Sequence, residues 1–216
     1  MLHVVARYTG PREKIERRIG EKLFLKGERS HSPKSATVRK AYPPGLHGKN
    51  AGRKKPSEFA MQLRSKQKVK NIYRLLERQF KNYIKAAVSS KKEPYDTILN
   101  KLESRLDNTV FRMGFAQSRD QARQIVGHGH ILVNGKKVNI PSYEVSIGDA
   151  ITVREISKKS PYFSNFVSQW IKSYEVPSWF EFNKDKLEGK VKGRPTVQES
   201  GIRVDDLQAI IEYYSR

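Results

Sequence analysis

Apolar residues recur every three or four positions through much of the chain that follows residue 56. This spacing places them on one face of a helix, and it predicts helices that begin at Ser57 and that run at about 76–89 and 95–113. Gly114 follows the third pattern directly and is expected to end that helix, because glycine adopts the left-handed conformation of a helix stop without strain.

The stretch QIVGHGHILVNGKKV changes from helical spacing to the shorter pattern of a hairpin. Gly129 is predicted to end a helix that begins at Ser118, where serine followed three residues later by glutamine forms a capping box. Asn134-Gly135 predicts a tight hairpin, because a type I′ turn needs positive φ at both central positions. A third strand is predicted at 150–153.

Outside this central region the pattern is weaker. Residues 1–56 contain many Pro and Gly residues and little periodicity, so we expect loops and one short helix near 12–19, draped over a partner. An aromatic-rich helix is predicted at 161–174. Residues 175–203 are expected to be mostly loop with short extended pieces, and a C-terminal helix is predicted at 205–214.

These elements predict an α+β fold in three parts. The first is an extended basic N-terminal arm. The second is a mostly helical domain that is split in sequence, with residues 57–102 completed by residues 195–216. The third, residues 103–194, contains a small α/β module at 103–155 that consists of two helices, a hairpin and a third strand.

The composition of the 216-residue chain favours a polyanionic partner. The formal net charge is +21 and only 37% of the residues are hydrophobic. Such a charge indicates nucleic acid first and an anionic membrane surface second. No apolar run approaches the roughly 20 residues that cross a bilayer. The absence of cysteine excludes disulfides, thiolate metal sites and thiol nucleophiles, and a soluble intracellular protein is expected.

The charge is concentrated near the start of the chain. Residues 1–70 contain 19 Lys and Arg against 5 Asp and Glu, whereas residues 103–155 contain 7 against 6. We expect the first part to supply most of the electrostatic attraction, and the module to bind through a few well-placed charges. The predicted phosphate contacts are Arg53, Lys54, Lys55, Arg64, Lys68 and Arg78 in the first part, and Arg119, Arg123, His128, His130 and Lys136 in the module.

Two motifs offer alternative interpretations. His128 and His130 resemble a metal site, but a third ligand is needed, and the other histidines, at positions 3, 31 and 47, all lie in the arm. A helix stop with phosphate contacts is therefore favoured. Arg105-Leu106-Asp107 resembles the catalytic motif of pseudouridine synthases. It falls inside the predicted third helix and lacks the Thr-Ser-Gly-Leu continuation, so catalysis is disfavoured and no catalytic residue is assigned.

The sequence resembles the bacterial and organellar family of small-subunit ribosomal protein S-four, and the resemblance extends from near the first residue to the last. The module resembles the RNA-binding domain named after that family. The residues that carry the resemblance are Arg7-Tyr8-Thr9-Gly10-Pro11, Leu25 to Arg29, Tyr42 to Gly45, His47-Gly48, Leu63-Arg64, Lys66 to Lys68, Glu77 to Phe80, Leu102 to Asn108, Ser118 to Arg123, His128 to Gly135, Pro141 to Tyr143 and Glu212 to Arg216.

The resemblance implies a structural protein of the ribosome without catalytic activity. Its function would be primary binding of 16S rRNA and nucleation of the 30S body. It implies contact with ribosomal protein S-five, a role in decoding accuracy together with S-five and S-twelve, and, in some members, repression through mRNA. It implies no membrane partner, no homo-oligomer, and a location in cytoplasmic ribosomes of bacteria or in an organelle. The rival interpretations are an RNA-modifying enzyme and a DNA-compacting basic protein.

The chain departs from the family at two places. Many members hold zinc through four cysteines in the arm, whereas the matching positions here are Glu13, Glu16, Ser30 and Ser35. Glutamate and serine provide hard oxygen donors that do not replace thiolates in a structural zinc site, so no zinc and no other cofactor is expected. Residues 1–5 precede the usual start of the family.

Overall fold

The structure is a computed structural model that describes residues 8–50 and 55–215. It combines helices with one antiparallel sheet, which confirms the predicted α+β class. The chain forms two compact units, one from residues up to Ile98 together with residues from Gly201 onwards, and the other from Leu99 to Ser200.

The helices lie in both units and the strands in the second. The helices are α1 (Arg12–Ile19), α2 (Glu28–His31), α3 (Ala36–Arg39), α4 (Glu58–Ile72), α5 (Glu77–Val88), α6 (Pro94–Glu103), α7 (Leu106–Arg112), α8 (Arg119–Gly127), α9 (Glu155–Lys158), a π-helix (Tyr162–Val167), α10 (Ser168–Ile171), α11 (Val197–Ser200) and α12 (Val204–Ser215). The strands are β1 (Ile131–Val133), β2 (Lys136–Lys137), β3 (Ala150–Val153), β4 (Phe180–Asn183) and β5 (Glu188–Val191).

The described part of the arm contains more helix than its many Pro and Gly residues led us to expect. Helix α1 confirms the short helix expected near residue 12, but α2 and α3 follow it where loops were expected. Ile19, Leu23 and Leu25 are buried together in a small core of their own. Short helices of this kind have little intrinsic stability, so this core and the hydrogen bonds described below hold them in place.

In the first unit, α12 packs on α4 and α5. Helix α4 begins at the expected cap, because the Ser57 hydroxyl accepts a hydrogen bond from the amide of Ala60 (3.3 Å). The Ser65 hydroxyl donates to Asp206 Oδ1 across the α4–α12 contact (2.8 Å). Residues separated by about 140 positions in sequence therefore complete one helical layer. The buried apolar side chains of these three helices include Val69, Phe80, Ile84, Leu207 and Ile210.

The long helix predicted at 95–113 is wrong, because the chain breaks between α6 and α7. Arg105 has an extended backbone (ψ 135°) and pairs with Glu144 in an isolated β-bridge. The amide of Val145 donates to the carbonyl of Ser104 (2.8 Å), so a loop from far along the chain holds the break open. In the Arg105-Leu106-Asp107 triplet, Arg105 lies at this break and Leu106 and Asp107 begin α7, so the triplet is not inside one continuous helix.

The second unit contains a five-stranded antiparallel sheet in the order β2-β1-β3-β5-β4. The expected hairpin and third strand form β2-β1-β3, and β4 and β5 extend the sheet where mostly loop was expected. Gly189 pairs with Ile151 and faces Met113, whose Sδ would lie 2.9 Å from a Cβ at that position. The absence of a side chain therefore lets α7 approach the sheet closely.

The aromatic segment after Pro161 begins as a π-helix and becomes α-helical only at Ser168, which corrects the regular helix predicted there. Hydroxyl groups compete with the backbone amides for carbonyl acceptors in this segment. For example, Ser164 Oγ donates to the carbonyl of Ser160 (3.0 Å). Trp170 Nε1 also donates to the carbonyl of Gly114 (2.8 Å), which fixes the segment against the end of α7.

The stop of α8 is confirmed. Gly129 is left-handed (φ 72°), and its amide donates to the carbonyl of Val126 (2.8 Å), while the amide of His130 donates to that of Ile125 (3.3 Å). Asn134 and Gly135 both have positive φ (50° and 76°), as the predicted type I′ turn requires.

Replacing Gly129 by alanine should lower the free energy of unfolding by about 1 kcal/mol or more, because a side chain is strained at this φ. Gly127→Ala is the matched control, since Gly127 lies in the same helix with open space around it and without positive φ. Denaturant unfolding of both variants separates the two sites. Equal stability of the two variants would contradict the helix-stop assignment.

Candidate nucleic-acid interface

Three of the predicted contacts lie near residues 51–54. Arg53 and Lys54 are outside the described residues. Lys55 is exposed just before the N-cap of α4. A cation at this place is accessible to a polyanion, and no carboxylate of the described residues pairs with it.

Arg64 and Arg78 lie exposed on α4 and at the start of α5. Arg64 Nε donates to the carbonyl of Ile19 (2.7 Å), so this side chain also ties α4 to the end of α1. Arg78 has no ion-pair partner among the residues that the structure describes. Both guanidinium groups can therefore reach a phosphate from outside the unit.

Lys68 is placed differently from the prediction. Its Nζ lies 2.7 Å from Glu21 Oε2 and 2.9 Å from Asp206 Oδ2, and its side chain is 13% exposed. Burial alone would lower the pKa of Lys68, but hydrogen bonds to these two carboxylates outweigh it and raise the pKa. The ammonium group thus neutralises carboxylates inside the unit, and we assign Lys68 this internal role, while its contact with phosphate stays a prediction.

The neighbouring lysines of α4 are paired in the same way. Lys66 and Lys70 place Nζ at 2.7 Å and 3.0 Å from the two carboxylate oxygens of Glu77. Burial raises the pKa of Glu77, but hydrogen bonds from Lys66, Tyr214 and Lys70 lower it to about 2. The lysines of this helix are therefore partly engaged in an internal ion-pair network.

Arg119 and Arg123 share one face of α8, as their spacing predicts, but that face lies against α7. Arg123 Nη2 and Nε donate to Asp107 Oδ2 (2.8 and 3.0 Å), and Arg105 donates to the same buried carboxylate. Arg119 Nε donates to Asn108 Oδ1 (2.8 Å). These two arginines hold helices together, a role that the sequence did not predict, and their contact with phosphate stays a prediction.

His128, His130 and Lys136 lie close to the surface of the module. His128 and Lys136 are exposed, at the end of α8 and on β2. His130 is half-buried, and its Nδ1 is 2.9 Å from the hydroxyl of Ser157. The pKa of His130 is lowered, first by burial and then by the charges of His128, Arg154 and Lys137.

The sequence-based selection missed Lys137 and Arg154. The signal for Lys137 was its place beside Lys136 in the hairpin, and the signal for Arg154 was its place directly after the third strand. Neither signal shows that the two side chains approach the same histidine.

Glu13, Glu16, Ser30 and Ser35, for which the resemblance implied a comparison with zinc ligands, make hydrogen bonds within the arm. Glu16 Oε1 accepts from the amides of Leu23 and Leu25 (3.1 and 3.2 Å), and Glu13 Oε1 accepts from the amide of Ala36 (3.3 Å). The hydroxyl of Ser30 accepts from the amide of Lys26 (3.1 Å), and that of Ser35 bonds to Thr37.

These oxygen atoms are occupied by hydrogen bonds within the arm, and oxygen donors of this kind do not fit a structural zinc. Across residues 8–50 and 55–215, no group of three or more His, Cys, Asp or Glu side chains could hold a metal ion.

Two family models match the chain and together cover most of it. The model described as the Ribosomal protein S4/S9 N-terminal domain matches residues 7–104, and the S4 domain matches residues 104–151. The small ribosomal subunit protein uS4 of Halothermothrix orenii is 49% identical, over 98% of this chain and all of the relative. Those of Natranaerobius thermophilus and Citrifermentans bemidjiense are 48% and 46% identical over the same shares.

The chain belongs to the uS4 family. This confirms the resemblance seen in the sequence. Proteins of the uS4 family are structural components of the small ribosomal subunit and are not enzymes, and the S4 domain is an RNA-binding domain. Among the helices of residues 8–50 and 55–215, none is long and apolar enough to cross a membrane.

Glu16→Ala should destabilise the arm, because it leaves two enclosed backbone amides without an acceptor, at a cost of roughly 1–3 kcal/mol. Glu16→Gln retains one side-chain oxygen and should cost less. Hydrogen exchange at Leu23 and Leu25 reports the change locally. Unaltered exchange in the alanine variant would show that the carboxylate does not support this loop.

Arg123→Ala should lower the free energy of unfolding by roughly 1–3 kcal/mol, since the buried carboxylate of Asp107 loses one of its two arginines. Lys136→Ala is the control, because its exposed side chain should alter stability by less than about 0.5 kcal/mol. Thermal melting of both variants tests the assignment. Normal melting of Arg123→Ala with weakened RNA binding would restore the original surface prediction.

Proposed function

We propose that this chain is a primary 16S rRNA-binding protein that nucleates assembly of the body of the 30S subunit. The observation that carries the proposal is a formal net charge of +21 on a member of a ribosomal family whose S4 domain binds RNA. Such a charge favours release of counterions from a phosphate backbone on binding.

The proposed contacts are the cations and histidines that remain accessible. They are Lys55, Arg64, Arg78, His128, His130 and Lys136, together with Arg53 and Lys54 in the segment outside the described residues. Lys68, Arg119 and Arg123 are assigned to internal interactions instead.

We also propose that different regions of the chain contribute differently to RNA binding. Residues 1–56 form the basic arm, residues 57–102 with 195–216 form the helical domain, and residues 103–194 form the RNA-binding domain. The basic arm and the helical domain supply most of the charge, and the RNA-binding domain supplies a smaller set of placed contacts.

The proposed partners follow from the family. The chain contacts ribosomal protein S-five and acts with S-five and S-twelve in decoding accuracy. It enters the ribosome as a single copy in the bacterial cytoplasm, and binding to mRNA would let it repress its own synthesis. The bacterial relatives at 45–49% identity, each named a small ribosomal subunit protein uS4, support the place in the ribosome.

Binding of 16S rRNA should weaken with salt, and each lost phosphate contact should reduce the log–log salt slope by about 0.7–0.9. The variant Arg78→Gln/Lys136→Gln is therefore expected to have a slope shallower by about 1.4–1.8. Lys68→Gln provides a contrast: it should lower the melting temperature and leave the slope unchanged, because its charge faces Glu21 and Asp206.

Filter binding over a salt series measures both effects, with duplex DNA as competitor. Competition by duplex DNA at equal mass would favour a general DNA-compacting protein and contradict the proposal. Cosedimentation with small subunits through sucrose tests the structural role directly.

A further inference from the structure

Four cationic or ionisable side chains converge where α8, the β1–β2 hairpin and the end of β3 meet. His128 and His130 flank the helix stop, with ring centroids 6.0 Å apart. Lys137 comes from β2, and Arg154 comes from the residue that joins β3 to α9. We refer to His128, His130, Lys137 and Arg154 as the histidine cradle.

The backbone positions the side chains of the histidine cradle. The amide of Arg154 donates to the carbonyl of His130 (2.9 Å), so these two residues are held side by side. The alkyl chain of Lys137 lies over Gly129, and a Cβ on Gly129 would approach Lys137 Cε to 2.2 Å. The glycine therefore serves two purposes, since it ends the helix and leaves room for the lysine to reach the histidines.

The positive charge of the histidine cradle is uncompensated in the described part of the chain. Burial lowers the pKa of His130, and the electrostatic influence of His128, Arg154 and Lys137 lowers it further, with no carboxylate among these groups. Two further groups that contact its ring, the Ser157 hydroxyl and the ring of Phe163, are uncharged. A carboxylate partner would be expected if this cluster had only a structural role.

Arg154 provides an independent indication of a ligand. Its Nε is enclosed and donates no hydrogen bond to any residue within 8–50 and 55–215. Enclosed polar atoms of folded proteins nearly always have a partner, so an unpaired guanidinium nitrogen beside the Lys137 ammonium and two histidine rings indicates a site for an anion.

We propose that the histidine cradle binds one phosphate group of the RNA backbone, and that His130 takes up a proton when the phosphate binds. The inference rests on the proposed function, because it assigns a particular site to the RNA. A phosphodiester fits because it carries a single negative charge and several acceptor oxygens, which can meet the guanidinium, the ammonium and a ring N–H together.

Proton uptake follows from the charges around His130. In the free protein its cationic neighbours and its burial favour the neutral imidazole. A bound phosphate reverses the local potential and favours the imidazolium, so the affinity rises as the pH falls through the range in which His130 titrates. The Lys137 ammonium and the Arg154 guanidinium supply further attraction to the phosphate.

The test uses the full chain and 16S rRNA. Filter binding at pH 5.5 and pH 8 gives the affinity, and calorimetry in two buffers of different ionisation enthalpy gives the protons taken up. Arg154→Gln should weaken binding about tenfold or more at both pH values, and Arg154→Lys should recover part of the loss. His130→Gln should remove most of the pH dependence and the corresponding proton uptake.

Lys136→Gln is the matched comparison, since it removes the adjacent exposed cation from the same strand. It should weaken binding without altering proton uptake. Melting curves check that each variant is folded. If the wild-type chain fails to bind 16S rRNA, the proposed function itself is wrong. If the wild type binds while folded Arg154→Gln and His130→Gln behave like it at both pH values, only the histidine cradle is overturned.

Discussion

The buried carboxylate of Asp107 organises the second unit. Two arginines reach it from different elements, Arg105 from the break before α7 and Arg123 from the middle of α8. A carboxylate at this depth is costly unless it is paired and hydrogen-bonded, so the two helices and the extended residue must keep their mutual positions. Glu103 has a similar role on the other side of the break, where its carboxylate accepts hydrogen bonds from Arg112 and Asn108. The ion pairs of these two buried carboxylates therefore fix the positions of the elements that carry the surface of the module.

Local signals were read correctly from the sequence. Gly129, the Asn134-Gly135 turn and the caps at Ser57 and Ser118 depend on the conformation of one or two residues, so the residue type indicates the structure. The break at Arg105 could not be found in this way. The apolar spacing continues across it, and the interaction that opens it comes from the segment around residue 145.

At the candidate site, too, the sequence did not reveal which charged side chains interact with distant parts of the chain. Sequence composition indicated a polyanionic partner, with nucleic acid first, but it could not tell which cations face outward. Lys68 and Arg123 look like any other basic residue on a helix, and their partners lie at distant positions such as Asp206 or on a neighbouring helix. Arg154 was missed for the converse reason, since nothing near it in sequence indicates that it shares a place with His130. The residue type shows which interactions a side chain can make, and the fold shows whether that side chain faces solvent or an internal partner.

The contact of α12 with α4 and α5 sets an order for folding during synthesis. The first unit contains residues up to Ile98 and also residues from Gly201 onwards, with the whole second unit between them in sequence. The second unit, Leu99 to Ser200, is translated before α12, and its core contains no residue of α12, so it can form without waiting for that helix. Helices α4 and α5 must keep an apolar face exposed until α12 has been translated. Slow elongation over residues 99–200 would prolong that exposure and increase the need for chaperones or early contact with RNA.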